Sequence, residues 1–341
     1  EEGKYVTRDT VKSLEYQKAL FDFLYDDVKK NDRKALCFLR KINNIENYSD
    51  EKVKDLFFKA YESIQKKTKA YNNDIDAQYE LGMFYLECNA NIDEAIKYLS
   101  LAAKNNHMDA QMALGDFYFN PDGTRNINLA IYYYTLAANQ NNSIAQFYLG
   151  CLYLESKYKY SEIPRAIYYL TRSANQNNKY AQYNLGNIYL KGIYVEKNVD
   201  LALYYLMLAA ENNLPDALHD LGTIFMEAKE VPQDISKSIY YLEKSAKCND
   251  SNAQCLLGII YSDKKYKNYD INKAIYYYKL AIANNDLNAK NNLAMIYYTG
   301  NGVPKDEPLA YYYWSQAAEQ NDKKSLNNIA LYHHNKNNTN D

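Results

Sequence analysis

From residue 77 onward the chain alternates between two patterns of apolar and polar positions, each with a helical period. In the first pattern, small or apolar residues fall at relative positions 1, 5, 6 and 9, as in Ala181, Leu185, Gly186 and Tyr189. In the second, Ala202, Tyr205-Leu206 and Ala209-Ala210 hold positions 1, 4–5 and 8–9. Residues three and four apart share one helical face, so each pattern predicts an amphipathic helix. Small residues at fixed sites let two backbones approach, and Leu and Tyr fill the space beside them.

These patterns recur in register. The Leu-Gly step stands at Leu81-Gly82, Leu114-Gly115, Leu149-Gly150, Leu185-Gly186, Leu221-Gly222 and Leu257-Gly258, then weakens to Leu293-Ala294 and Ile329-Ala330. Successive spacings are 33, 35 and then 36 throughout. In the second pattern Tyr98, Tyr133, Tyr169, Tyr205, Tyr241, Tyr277 and Tyr313 are equivalent. A fixed period of this size predicts a stack of helical hairpins, each too small to bury its apolar face alone. The expected fold is all-α: a right-handed α/α superhelical solenoid of stacked helix-turn-helix repeats.

The turns carry their own signal. Asn106, Asn141, Asn177, Asn213, Asn249, Asn285 and Asn321 follow the second pattern, and the next first-pattern Ala or Ser comes four residues later. Asn is one of the few residues that end a helix in the left-handed conformation. Ser143, Asp216, Ser251 and Asp286 in the following gap are expected to cap the next helix.

Taken together, Ala-x-x-x-Leu-Gly-x-x-Tyr and the later Ala-x-x-Tyr and Ala-Ala steps resemble the Sel-one-like repeat family, a relative of tetratricopeptide repeats. The family's Gly-rich loop is closest at Gly300-Asn-Gly302-Val303-Pro-Lys-Asp306, partial at Gly192-Ile-Tyr-Val195, rewritten at 155–164 and 261–271, and shortened at 87–93. Its terminal Gly is Asn in all seven copies. The resemblance covers residues 77–335 and implies a non-enzymatic protein-protein interaction scaffold or adaptor. Some family members resemble effectors or accessory subunits of ubiquitin-linked or host-directed complexes, which is the alternative. The stack is implied to carry its first helices on the concave side.

Seven hairpins are expected over 77–324, a capping helix over 325–335 and a disordered tail over 336–341. Residues 1–70 read as an N-terminal helical cap with a degenerate repeat. In that stretch Val11, Leu14, Leu20, Phe21, Leu24 and Val28 line one predicted helix, a second starts at Asp32, and Ser49-Asp-Glu starts a third.

Composition changes the picture only in part. A formal net charge of −2 and a pI near 6.2 argue against a general nucleic-acid binder. The 39 tyrosines sit mostly at repeat-core positions. Cys37, Cys88, Cys151, Cys248 and Cys255 form no C-x-x-C pair and no per-repeat framework, so free thiols in a reducing compartment are expected. A cytoplasmic location is therefore expected. Because the chain starts at Glu1 rather than Met, a removed signal peptide would make it lumenal or secreted. No apolar run is long enough for a membrane span. Sequons at Asn47, Asn141, Asn249 and Asn337 are what an Asn-rich chain produces by chance.

Catalytic chemistry finds no candidate. His107, His219, His333 and His334 are scattered, no His/Cys/Asp spacing suits a metal, and no phosphate loop is present. No cofactor is expected. Function then rests on surface. Positions 3, 7 and 10 of each first helix point away from the intra-repeat core. In the first four repeats they include Tyr79, Met83, Met112, Phe147 and Tyr183, the expected anchors for a protein or peptide partner in the concave groove. Position 3 is polar later, at His219, Asn291 and Asn327, which suggests that the core does not require an apolar residue there. Packing of this row against neighbouring first helices is the competing reading. A second surface is the row Tyr132, Tyr168, Tyr204, Tyr240 and Tyr276 on the second helices.

Overall fold

A computed structural model describes residues 73–87, 92–120, 125–155 and 159–338. The helices expected at 10–30, from 32 and over 49–69, and Cys37, Cys88 and Asn47, lie outside the described residues. Among the described residues the chain forms fifteen α-helices and no strand. Two compact units divide it, residues 1–155 and 156–341.

The first unit holds α1 (Ile75–Glu87), α2 (Ile92–Lys104), α3 (Met108–Phe119), α4 (Ile127–Asn139) and α5 (Ser143–Glu155). In it α1 pairs with α2, and α3 with α4. The second unit starts with α6 (Lys159–Ala174). It continues with the hairpins α7 (Lys179–Lys191) and α8 (Val199–Glu211), then α9 (Pro215–Glu227) and α10 (Ile235–Lys247). Next come α11 (Ser251–Ser262) with α12 (Ile271–Ala283), then α13 (Leu287–Thr299) with α14 (Glu307–Ala318). The last helix, α15 (Lys323–Asn338), packs on α14. It takes in residues 336–338, which the sequence pattern assigns to the tail. Consecutive first helices also touch, α1 with α3, α9 with α11 and α11 with α13.

The core follows the two patterns. Position-1 alanines and position-5 leucines are buried, and Ala181, Leu185, Ala217 and Leu221 have no exposed surface. Position 9 supplies an aromatic ring that stacks on the equivalent Tyr of its own hairpin. Tyr85 lies on Tyr98, Tyr118 on Tyr133, Tyr189 on Tyr205, Phe225 on Tyr241, Tyr261 on Tyr277 and Tyr297 on Tyr313. Centroids are 5.8–6.3 Å apart with interplanar angles of 8° or less. The same residue's carbonyl accepts the backbone N–H of the next helix's N-cap, as in Asp270 to Tyr261 at 2.8 Å and Asp306 to Tyr297 at 2.9 Å. This double hold explains why the connecting loops vary while the hairpin does not.

All seven turn asparagines adopt positive φ, from 52° at Asn213 to 67° at Asn141. Each closes a six-to-one turn: Leu214 N–H donates to the Ala209 carbonyl at 3.1 Å, and Asn213 N–H to that of Ala210 at 3.0 Å. The caps depart from expectation. The residue directly after the left-handed Asn is the N-cap, so His107, Asn142, Asn178, Asp250, Asp286 and Asp322 accept from the first turn of the next helix. Ser143, Asp216 and Ser251 lie inside the helix instead, and Leu214 caps without a side-chain bond. Of the four expected caps, only Asp286 occupies the capping position. One residue thus ends a helix and starts the next, which leaves room for only a two-residue turn.

Candidate functional site

Position 2 of the first helices carries a feature the hydrophobic pattern overlooks. Gln111, Gln146, Gln182 and Gln254 are buried, and each Nε2 donates to a carbonyl of the preceding second helix, Ala103, Ala138, Ala174 or Ala246, at 3.0–3.2 Å. On the other side Gln140, Asn212 and Asn284 donate to Oε1 of Gln111, Gln182 and Gln254. A buried amide is tolerated only when its bonds are made, and here they join consecutive helices. The recurring Ala-Gln dipeptide was the available signal.

Position 3 faces the next repeat. Tyr79 stacks on His107 with centroids 4.5 Å apart. The Tyr183 hydroxyl donates to Asp220 Oδ2 at 2.9 Å, His219 Nδ1 lies 3.0 Å from Asp250 Oδ2, and Asn291 Nδ2 donates to Asp322 Oδ2 at 2.6 Å. Cys255 and Asn291 are buried at this position. Polar residues are therefore accommodated at position 3 by partners in the following repeat, and their presence is no sign of an outward face. Tyr79, Met83, Met112 and Phe147 in the first unit, and Tyr183 in the second, are each half-buried. Tyr79 and Met83 pack on the Leu99–Leu114 cluster, and Tyr183 on the Leu206–Phe225 cluster.

Tyr183 and His219 border a polar cleft of about 330 Å³ in the second unit, with Asp216, Asp220 and Asp250 on its walls. Burial raises the Asp220 carboxyl above the usual range. Hydrogen bonds from His219 and Ser245 and the Ala253 amide outweigh burial at Asp250 and lower it to about 2, while the same Asp250 bond raises His219. Burial together with Asp220 pushes the Tyr183 hydroxyl up to about 12. No described group of three or more His, Cys, Asp or Glu is placed to hold a metal ion.

A larger cleft, about 550 Å³, opens between α11 and α13. Its floor depends on Gly258, where a Cβ would meet the Tyr278 ring at 2.5 Å. The missing side chain lets that ring lie against α11, with its hydroxyl 3.3 Å from Ser262 Oγ. Ile259 and Met295, both at position 7, form the rim and are 37% and 41% exposed. Leu331 continues position 7 on α15 at 50%. Asn292 and Asn301 add amides to the lining. Close by, the Cys255 thiol is pushed up to about 12 by burial, so it stays protonated. Exposed apolar side chains beside polar amides suit binding of a polypeptide segment. At position 7 in the later repeats, Ile259, Met295 and Leu331 are more exposed than the half-buried position-3 residues of the early ones.

On the second helices, Tyr132 in the first unit and Tyr168, Tyr204, Tyr240, Tyr276 and Tyr312 in the second are 53–57% exposed. Cys248 and Cys255 are free thiols, so no bridge joins them. No described helix is long and apolar enough to cross a membrane.

The Sel1 repeat family model matches seven consecutive stretches, residues 75–107, 109–142, 143–178, 179–214, 215–250, 251–286 and 287–322. Among solved structures, the Sel1 repeat protein from Oxalobacter formigenes is 26% identical, with 97% of this chain and 96% of that one covered and a TM-score of 0.65. The structure of c5321, a protective antigen present in uropathogenic Escherichia coli strains and displaying an SLR fold, is 23% identical over 89% of this chain and 80% of that one, with a TM-score of 0.47. No curated protein matches the chain.

Proposed function

The chain belongs to the Sel1 repeat family, and we propose that it is a non-catalytic adaptor that receives a segment of a partner protein on its first helices, centred on the cleft between α11 and α13. The family supports a protein-interaction scaffold in general. The observation that carries the finer reading is the exposed position-7 row Ile259, Met295 and Leu331 beside that cleft. Apolar side chains at this exposure gain contact area when covered, and the amide oxygens of Asn292 and Asn301, whose Nδ2 groups donate to Cys255 Sγ and the Ser262 carbonyl, can accept from a partner's backbone. Tyr79, Met83, Met112, Phe147 and Tyr183 are proposed as secondary contacts, each in its own unit, because only part of each side chain is available. A cytoplasmic location is part of the proposal, supported by the free thiols of Cys248 and Cys255.

A hydrogen-exchange footprint tests it. Dodecapeptides selected from a random display library against the intact chain should slow exchange in α11 and α13. Protection confined to α10 and α12 would overturn the reading.

A further inference from the structure

The second helices α10 and α12 each carry two more lysines than carboxylates. Between residues 235 and 285 there are eight lysines, no arginine and four carboxylates, a surplus of four positive charges in a chain whose net charge is −2. All four carboxylates are committed. Glu243 accepts the hydroxyls of Tyr261 and Tyr277 at 3.1 and 3.3 Å. Asp250 and Asp270 cap α11 and α12, and Asp263 pairs with Lys265 at 2.8 Å.

The cations on the outward faces have no carboxylate partner among the described residues, although Lys244 and Lys273 lie over the rings of Tyr240 and Tyr261. Lys244 and Lys247 share a face of α10 with Tyr240, being four and seven residues beyond it, and Lys273 and Lys279 flank Tyr276 on α12. None of these four makes an ion pair with a described residue. The Tyr277 bond to Glu243 crosses from α12 to α10, so the two faces are side by side. Tyr240 and Tyr276 stand 53% and 57% exposed between the lysines. Each ring is already ordered by its neighbour, Tyr240 edge-on to Tyr241 at 5.1 Å and Tyr276 to Tyr277 at 5.2 Å. A ring fixed in advance loses little entropy on contact.

We propose that this face of α10 and α12 is a second docking surface, which takes an acidic segment of a partner protein. Carboxylates of that segment reach Lys244, Lys247, Lys273 and Lys279, and apolar side chains between them lie on Tyr240 and Tyr276. Charge complementarity selects an acidic partner. The ring geometry selects a polypeptide over a single-stranded nucleic acid. Sequence-tolerant nucleic-acid binding uses open aromatic faces for base stacking. One face of Tyr240 already holds the Lys244 ammonium at 4.6 Å, and its flank meets Tyr241.

The test uses the full chain and three probes: a labelled dodecapeptide of glutamates interspersed with leucines, oligo-dT of equal charge, and vesicles of mixed phosphatidylcholine and phosphatidylserine. The expected result is peptide binding that weakens steeply between ~50 and ~300 mM salt. The variant K244A/K247A/K273A/K279A should lose at least about tenfold in affinity. Its melting temperature should stay within a few degrees, because the four side chains make no ion pair. A Tyr240→Ala/Tyr276→Ala variant should also bind more weakly at high salt, where packing dominates. No peptide binding, peptide binding unchanged in the lysine variant, or tighter binding of oligo-dT or vesicles than of peptide would overturn the proposal.

Discussion

A Cβ on Gly186 would lie 2.7 Å from Leu206 Cγ, 2.8 Å from its Cδ2 and 3.3 Å from the Ala202 carbonyl. The contact is with a branched carbon near the backbone, so the Leu206 side chain has little freedom to withdraw. Substituting Gly186 by Ala should therefore destabilise the chain by about 1–3 kcal/mol, even though Ala favours helix by about 0.5–1 kcal/mol. Gly186→Leu should be worse. Asn187, half-buried and bonded to Tyr183, should cost much less as Asn187→Ala. Equal thermal shifts for the two sites would show that the helical face has been misassigned.

Asn213 has φ of 52° and its N–H closes the turn onto Ala210. Asn213→Gly should change stability by only a few tenths of a kcal/mol, since Gly adopts positive φ freely. Asn213→Val should cost at least ~1–2 kcal/mol, the left-handed penalty of a residue with a Cβ, and more for a β-branched one. Denaturant midpoints of both variants decide this. A harmless Val would mean that the turn tolerates another conformation.

His219 and Asp250 make stability depend on pH. The folded His219 is raised above 6.5 by Asp250, so its contribution is fully present below that value and fades as pH rises through the folded pKa. Asp250, lowered to about 2, contributes above its ordinary 3.8 and fades as pH falls through about 2. Both shifts describe one pair, which contributes most between those limits. The melting-temperature advantage of wild type over His219→Gln should thus be larger at pH 5.5 than at pH 8. An advantage that stays level across that range would exclude a charged pair.

Much of the fold is readable from the chain because each repeat position answers one local demand. The asparagines before each first helix could be read as left-handed, since few other residues accept that conformation. The caps were harder: His107 and Asp250 each finish one turn and begin the next helix, and a motif of single helices does not show such overlap. Gln182 was legible as a recurring Ala-Gln step, yet buried polarity does not appear in a hydrophobic pattern. Position 3 is ambiguous in the sequence for a related reason. The period of one helix identifies its face toward its own partner, not the side covered by the following repeat. His219 and Asn291 are polar in the sequence, and in the structure they meet Asp250 and Asp322 of the following repeat. The cleft beside Ile259 and Met295 depends on that same inter-repeat spacing, so it emerges only in three dimensions.

The most direct test of the adaptor reading is the affinity of a library-selected dodecapeptide for two double variants, measured with their melting temperatures. Ile259→Asp/Met295→Asp should weaken binding by more than about tenfold, as loss of apolar anchors does. Its melting temperature should stay within a few degrees of wild type, because both side chains are exposed. Phe147→Ala/Tyr183→Ala should weaken binding less and lower the melting temperature more, since Tyr183 holds Asp220 of the next repeat. Undiminished affinity in the Ile259/Met295 variant, with the fold intact, would contradict the central claim.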